Sequence, residues 1–354
     1  MATIFDEITA PVLGTKWENN AKQREPYLGQ AFFPERKQLG IELSYLQGKA
    51  PSVRPLDLSS FDAKVIPLSR EAFSKITQDM PFFKNSLNIN EKQRQQLNMV
   101  LSSDNRAYID GIVNEIYNDE SRLLTNASAT REMLRMQALT SGAIAFASNG
   151  QAISYDYGVP SANKVDADWH TATTADPIAD INGWLDQVEE ATGVRPRNLL
   201  MNRNTLKLFT QADSIKNALY VFANGTVTPN TTSAQRFVEQ ETNTVIYVYD
   251  KGYVDEASST FTKFVADDVV VAFPDDVGEG VFGTTPEESD LMTGTDAVVT
   301  IVDGGVAITT TKETDPVNVS TKVSMIYLPI LNHPEAMIIA DVSEAMIIAD
   351  VSGE

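Results

Sequence analysis

The chain has 354 residues, of which 42% are hydrophobic and 21% charged, a composition typical of a globular protein. Its length suffices for two domains or one elaborated domain. It has no cysteine, which excludes disulfides, thiolate metal sites and cysteine nucleophiles. No apolar run is long enough for a transmembrane helix, and the first residues do not resemble a secretory signal, so we expect a protein made in the cytosol.

The net charge of −20 is unevenly distributed along the chain. Residues 1–150 contain 17 basic and 17 acidic side chains, whereas residues 151–354 contain 11 basic and 31 acidic ones. A chain with this balance presents no basic face of the kind that binds phosphates. Tight or sequence-specific nucleic-acid binding is therefore not expected.

The first 85 residues predict two extended features. Residues 1–47 are polar and interrupted by proline and glycine, which predicts an irregular arm laid across another structure. Two extended runs, 52–58 and 63–68, flank a turn-like stretch and predict a hairpin. Because such a hairpin has little core of its own, we expect it to need a partner, such as another subunit. Its charged residues either pair across that contact or are solvated loop charges, and the candidates are Lys49, Arg54, Asp57, Lys64 and Arg70.

Two helices are predicted next. Apolar residues at helical spacing over 109–117 predict that residues 90–124 are helical. A second helix is predicted over 128–148, with Ser128 as its N-cap, Glu132 near the positive end of its dipole, and Gly142 with the Asn149-Gly150 pair as its end. Its apolar residues lie on one stripe, which indicates burial along one side. We expect this helix to organise the chain.

Strands dominate the remainder. We predict a helix over 176–192 closed by Gly193, a buried strand over 199–201, and a helix capped by Asn202 or Asn204. Later strands are predicted over 244–249, 263–273, 297–301, 306–311 and 323–328. This mixture favours an α+β fold over a regular βαβ series. Residues 335–343 are repeated unchanged as 344–352, and we expect the second copy to be a surplus, less ordered tail.

Two motifs bear on chemistry. Gly278, Gly280 and Gly283 have the spacing of a dinucleotide-binding motif, but no apolar helix follows and nearby acids would repel a pyrophosphate. Asp166, Asp168 and His170 are three potential metal ligands, although a polar surface loop explains them better. We predict a protein that is not an enzyme and has no catalytic, cofactor or metal site. A soluble enzyme that uses residues 166–170 is the weaker alternative.

Several separated stretches together resemble the lambda-type major capsid protein family of tailed bacteriophages, whose subunits have the HK97 fold. The segment REMLRMQALTSGAIAF at 131–146, followed by YDYG at 155–158, is similar to one family segment. Further similar stretches are GVRP at 193–196, MNRNT at 201–205, FVADDVVVAFPDDVGEGVFGTTPE at 264–287, and LPIL with PEA after residue 327. The resemblance gives the glycines of the nucleotide-like motif a structural role.

The resemblance implies an α+β fold of HK97 type with named parts. These are an N-terminal arm (1–47), an extended E-loop hairpin (48–85), a P-domain (86–175) with a long spine helix (128–148), an A-domain (176–300), returning strands (301–343) and the duplicated tail (344–354).

It also implies a structural role. Family subunits form hexamers and pentamers that close into an icosahedral head shell around double-stranded DNA. The implied partners are other copies of the chain, a separate scaffolding protein, a portal and the packaged DNA, with a decoration protein left open and no membrane. The implied location is the virion, with assembly in the host cytoplasm. An encapsulin-like nanocompartment of the same fold is the alternative, and the long arm argues against it.

Overall fold

A computed structural model describes residues 9–21, 25–47, 74–89, 95, 99, 106–219, 229–254, 259–291, 297–314 and 317–343. The chain divides into two compact units. Unit 1 comprises Met1–Tyr45, Ile76–Arg135 and Glu279–Ile330. Unit 2 comprises Leu46–Lys75, Met136–Gly278 and Leu331–Glu354.

The described helices and strands are as follows. The helices are α1 (Ala10–Ala21), α2 (Gly29–Phe32), α3 (Arg106–Ser141), α4 (Pro177–Thr192), α5 (Arg203–Gln211), α6 (Asp213–Leu219) and α7 (Thr231–Thr242). The strands are β1 (Glu35–Lys37), β2 (Glu42–Gln47), β3 (Ser74–Asp79), β4 (Phe82–Ile89), β5 (Ala143–Ser148), β6 (Gln151–Asp156), β7 (Lys164–Asp166), β8 (Asn198–Met201), β9 (Val245–Val248), β10 (Gly252–Val254), β11 (Phe261–Lys263), β12 (Val269–Phe273), β13 (Gly278–Phe282), β14 (Ala297–Val302), β15 (Val306–Thr314), β16 (Val317–Leu331) and β17 (Ile338–Asp341). Among the residues described, no helix is long and apolar enough to cross a membrane.

Unit 1 is built on a mixed sheet with the strand order β1-β13-β16-β15-β14. The pair β1–β13 is parallel. β15 pairs antiparallel with both β14 and β16, and β4 also pairs antiparallel with the long strand β16. The valine, isoleucine and aromatic side chains of β13, β15 and β16 are mostly buried, which places the core of this unit at the middle of its sheet.

The prediction that residues 1–47 are irregular is wrong for the part that the structure describes. Ala10, Leu13 and Trp17 fall on one face of α1 and are buried. A Cβ built at Gly14 would lie 3.0 Å from Thr300 of β14, and the Trp17 indole donates to Asp303 over 3.0 Å. Proline and glycine here start and closely pack a helix instead of breaking one. The assignment of residues 1–47 as an arm remains a prediction.

The long central helix is confirmed, but its predicted bounds are wrong. Helix α3 is continuous from Arg106 to Ser141, so Ser128 is an interior residue and caps nothing. The helix ends because Gly142 adopts a left-handed φ of +68°. The following AIAFAS segment forms β5, which pairs with β6 around Asn149 and Gly150, both at positive φ. An Asn-Gly pair between two strands is the preferred two-residue hairpin turn.

Unit 2 is built on a second sheet with the order β7-β17-β12-β8-β9, and α4 to α7 contribute to its apolar core. The helix over 176–192 is confirmed, with Asp176 accepting from the Ala179 amide at one end and left-handed Gly193 at the other. Asn202 caps α5, which settles the alternative between Asn202 and Asn204. At the centre of the core, the ring of Trp169 lies 5.8 Å from Trp184 and 5.4 Å from Phe209.

Two further expectations for unit 2 have different outcomes. The single strand predicted over 263–273 is wrong, because a turn with Asp268 at φ +63° separates β11 from β12. The first copy of the repeated nonapeptide supplies β17, which lies between β7 and β12. The second copy, the predicted surplus tail, lies outside the described residues.

The close packing around Gly142 generates a stability prediction. A Cβ at Gly142 would lie 2.6 Å from Val159 Cγ2, whereas a Cβ at Gly150 would meet nothing within 4 Å, and both residues have positive φ. We expect Gly150→Ala to lower the free energy of unfolding by about 1 kcal/mol through backbone strain alone. Gly142→Ala should lower it by about 2–4 kcal/mol, because steric overlap adds to the strain. Urea unfolding of the unassembled subunit measures both, and equal losses would contradict the packing explanation.

Candidate assembly site

Unit 1 contains a largely buried, hydrogen-bonded set of five charged side chains and one tyrosine, which we call the charge network: Glu35, Arg131, Glu132, Arg135, Asp303 and Tyr327. Arg131, Glu132 and Arg135 lie on α3 and are almost completely buried. Burying a charge is costly unless it is paired and hydrogen-bonded. The partners of these three residues therefore determine how α3 packs in this unit.

Glu35 of β1 is the shared acceptor of the two arginines. Arg131 Nη1 donates to Glu35 Oε1 over 2.9 Å, and Arg135 Nη2 donates to the same oxygen. Arg131 Nη2 also donates to Asp303 Oδ2 over 2.8 Å, at the turn between β14 and β15. Arg131 additionally lies 5.5 Å from the Phe282 ring, a cation–π arrangement. One carboxylate on a three-residue strand is thus fixed by two guanidinium groups of one helix.

Tyr327 of β16 and Glu132 complete the network. Arg135 Nε donates to the Tyr327 hydroxyl over 2.7 Å, and Glu132 Oε1 accepts from the Gly29 amide over 2.9 Å at the start of α2. Burial raises the pKa of Tyr327 to about 12, so this phenol stays neutral near neutral pH. Burial opposes the charge of Arg135, but Tyr327, Glu35 and Glu132 outweigh it and raise the pKa of that guanidinium. The network therefore keeps a charged arginine inside unit 1.

The sequence pattern does not predict this role. It places Glu132 near a helix N-terminus, whereas the residue lies deep inside α3 and helps to hold α2 in place. The available signal was the spacing Arg-Glu-x-x-Arg between apolar residues such as Met133, Leu134 and Met136. Charged side chains within an otherwise apolar helical segment indicate buried partners elsewhere in the chain.

The glycines of the nucleotide-like motif have a packing role. A Cβ at Gly280 would lie 2.5 Å from the Tyr327 hydroxyl oxygen. A Cβ at Gly283 would lie within 2.8 Å of Ile326, Met80 and the Gly40 carbonyl oxygen. Only glycine leaves room for these close approaches. The structural role that the resemblance implied for these glycines agrees with this geometry.

An exposed apolar patch lies where Gly283 allows this approach. Residues 38–41, which we call the root loop, are bound by backbone hydrogen bonds: Gln38 N to Phe282 O at 2.8 Å, Thr284 N to Gly40 O at 3.1 Å and Met80 N to Ile41 O at 3.0 Å. On this fixed loop the Leu39 side chain is 92% exposed, and Ile41 and Phe82 are also exposed. The strands β2 and β3 begin and end beside this loop and pair with each other. Along the chain, these two strands precede and follow the segment of the predicted hairpin.

The predicted interface residues of that hairpin are not placed by the structure. Lys49, Arg54, Asp57, Lys64 and Arg70 all lie outside the described residues. Their role in pairing across a subunit contact remains a prediction.

The potential metal ligands do not form a cluster. Asp168 accepts hydrogen bonds from the backbone of His170 and Thr171, and the bonds from Thr171 hold its pKa below the ordinary value. His170 Nε2 lies 3.0 Å from Asp268 Oδ1, and Asp166 belongs to β7. Within the described ranges, no group of three or more acidic or histidine side chains is arranged to hold a metal ion. Asp168 and His170 therefore lie in a loop whose polar groups bond to its own backbone and to Asp268, whereas Asp166 lies on a strand.

A family model decides which proteins this chain is related to. The model described as phage major capsid protein E matches residues 13–342.

The chain belongs to the phage major capsid protein E family.

Solved structures agree on the fold. A protein assigned as a prophage capsid protein from E. coli CFT073 has a TM-score of 0.60 at 15% identity, covering 95% of this chain and 99% of its own. A phage-related protein from Bordetella bronchiseptica RB50 has a TM-score of 0.54 at 12% identity, covering 96% and 98%. The comparison with curated proteins gives no match. The predicted α+β fold of HK97 type is confirmed.

Membership in this capsid protein family makes the chain a structural subunit of a phage head shell, and hence of the virion. A capsid protein acts by associating with copies of itself. The charge network and the root loop therefore bear on assembly: the first joins α3 to β1, β16 and α2 within unit 1, and the second displays exposed apolar side chains.

The charge network generates a second stability prediction. In Glu35→Gln, two buried guanidinium groups lose their shared carboxylate, and we expect the free energy of unfolding to fall by about 3–5 kcal/mol. Glu42→Gln removes an exposed carboxylate seven residues later and should change it by less than about 0.5 kcal/mol. Chemical unfolding of both unassembled variants makes the comparison. Similar, small losses in the two would show that the network does not determine the packing of unit 1.

Proposed function

We propose that this capsid protein forms hexamers and pentamers that close into an icosahedral head shell around double-stranded DNA of a tailed phage. The match of the capsid family model over residues 13–342 carries the proposal. Closed symmetric assembly of one subunit explains why a single fold suffices for a whole shell. The net charge of −20 supports a container that holds DNA without binding its sequence, because the wall repels the polymer.

The proposal includes partners beyond the chain itself. A separate scaffolding protein and a portal would act during assembly in the host cytoplasm, and whether a decoration protein caps the shell is left open. We assign residues 48–85 as the E-loop. Its support is the pairing of β3, which lies within that segment, with β2, which directly precedes it. We also propose that the neighbouring exposed patch of Leu39, Ile41 and Phe82 contacts a second copy of the chain.

Particle isolation tests the shell. The chain should be expressed alone and then with its neighbouring phage genes, followed by electron microscopy, light scattering and extraction of nuclease-protected nucleic acid. We expect round shells or free capsomers, with protected double-stranded DNA once packaging genes are present. Monodisperse monomers in every preparation would contradict shell assembly. Shells filled with a protein cargo instead of DNA would support the encapsulin-like alternative.

Substitution of one side chain tests whether the root loop contacts another subunit. Leu39→Asp places a charge where we expect an apolar subunit contact, and should slow particle formation at least about tenfold without changing the unfolding midpoint. Leu39→Met keeps an apolar side chain of similar size and is the matched control, with assembly within about twofold of the unchanged chain. Time-resolved light scattering gives both rates. Unimpaired assembly of Leu39→Asp would exclude this patch from the contact.

A further inference from the structure

The β10–β11 hairpin of unit 2 displays two large apolar side chains on one face. Its strands are antiparallel, and Val254 lies directly opposite Phe261. Residues directly opposite each other in an antiparallel pair point to the same face. Val254 is 65% exposed and Phe261 is 62% exposed. We call the side of the hairpin that carries these two residues its outer face.

The opposite face anchors the hairpin. Tyr253 precedes Val254 and therefore points the other way, where its ring lies 5.7 Å from the ring of Phe264. Phe264 in turn stacks on Tyr249 at 6.1 Å, and both of these rings are buried. The Phe264 amide also donates to the Lys251 carbonyl over 3.0 Å. The apolar pair is thus presented by an aromatic support that fixes its position.

Gly252 leaves space for the Phe261 ring on the outer face. A Cβ built there would lie 2.7 Å from Phe261 Cζ, so the absence of a side chain lets the Phe261 ring lie along the hairpin. A ring held in this way loses little conformational freedom when a partner covers it. The outer face is preorganised for contact.

We propose that this outer face is a contact between copies of the chain, with Val254 and Phe261 of one subunit packed on a neighbouring subunit. The inference rests on the shell function proposed above. Residues 151–354, which include the hairpin, carry 11 basic and 31 acidic side chains. Copies of this region repel each other and offer few cations for pairing, so an apolar contact is the attraction that their charge leaves available.

A matched pair of substitutions tests the face. Phe261→Asp puts a carboxylate on the outer face, and Thr262→Asp puts the same charge on the adjacent residue, which points to the other face. We expect Phe261→Asp to slow assembly at least about tenfold. Thr262→Asp should stay within about twofold of the unchanged chain, because a charge outside a contact changes assembly little. Equal assembly rates of the two variants would overturn the inference.

A thiol footprint tests it without relying on a disruptive change. Since the chain has no cysteine, Val254→Cys and Thr262→Cys each introduce a single reactive group. In assembled particles, the alkylation rate at position 254 should fall at least about tenfold relative to unassembled subunits, while position 262 stays reactive. Unchanged reactivity at 254 would overturn the inference.

Three outcomes separate the inference from the shell function on which it rests. Protection of position 254 only when scaffolding or other phage proteins are present would assign the face to those proteins instead of a second copy. If the unchanged chain forms no particles under any condition, the proposed shell function fails. If particles form but the introduced thiols at positions 254 and 262 both stay reactive in them, only the role of this face fails.

Discussion

The pairing of Glu35 with Arg131 and Arg135 is the constraint on which unit 1 depends. It joins a short strand near the start of the chain to the C-terminal third of α3, about one hundred residues away in sequence. From there it reaches the turn that carries Asp303 and the strand that carries Tyr327. Two buried guanidinium groups keep their hydrogen-bonding partners only when all of these elements pack in this arrangement, and without those partners their burial is costly. A buried ion pair contributes modest net stability, but it strongly penalises arrangements that leave one charge alone. For a subunit that must match its copies, we regard this selectivity as the main value of the network.

The glycine-rich strand makes the network sterically feasible. Tyr327 can place its hydroxyl beside Arg135 because Gly280 has no side chain in that space. Three positions later, Gly283 allows the root loop to approach the backbone of the sheet, and that approach leaves Leu39 facing solvent. The spacing that resembles a phosphate-binding motif therefore has a different physical cause, which is the close contact of a backbone with a tyrosine and a loop.

Local signals in the sequence were reliable where the structure that they predict is itself local. Asp176 and Gly193 bound α4, and Asn202 caps α5, because a cap is a contact between residues a few positions apart. Ser128 has the same chemistry but lies inside α3, where the helix on either side overrides it. The Asn149-Gly150 pair is a plausible helix end by its residue types alone, but the structure shows that its flanking segments pair as a hairpin. The charge network was not predictable in detail, since Glu35 and Tyr327 meet Arg135 only through the packing of distant segments.

The distribution of charge limits which contacts can hold copies of this chain together. At physiological ionic strength, salt screens charge repulsion beyond about 8 Å. Repulsion between the acidic residues of 151–354 in neighbouring copies therefore acts mainly at contact distance. Attraction must then come from short-range contacts in which apolar side chains are already held in place. Leu39 on a hydrogen-bonded loop and the Val254–Phe261 pair on an aromatic support both meet this requirement. Their separation into two units suits an assembly stabilised by several modest contacts, because no single contact then has to overcome the repulsion alone.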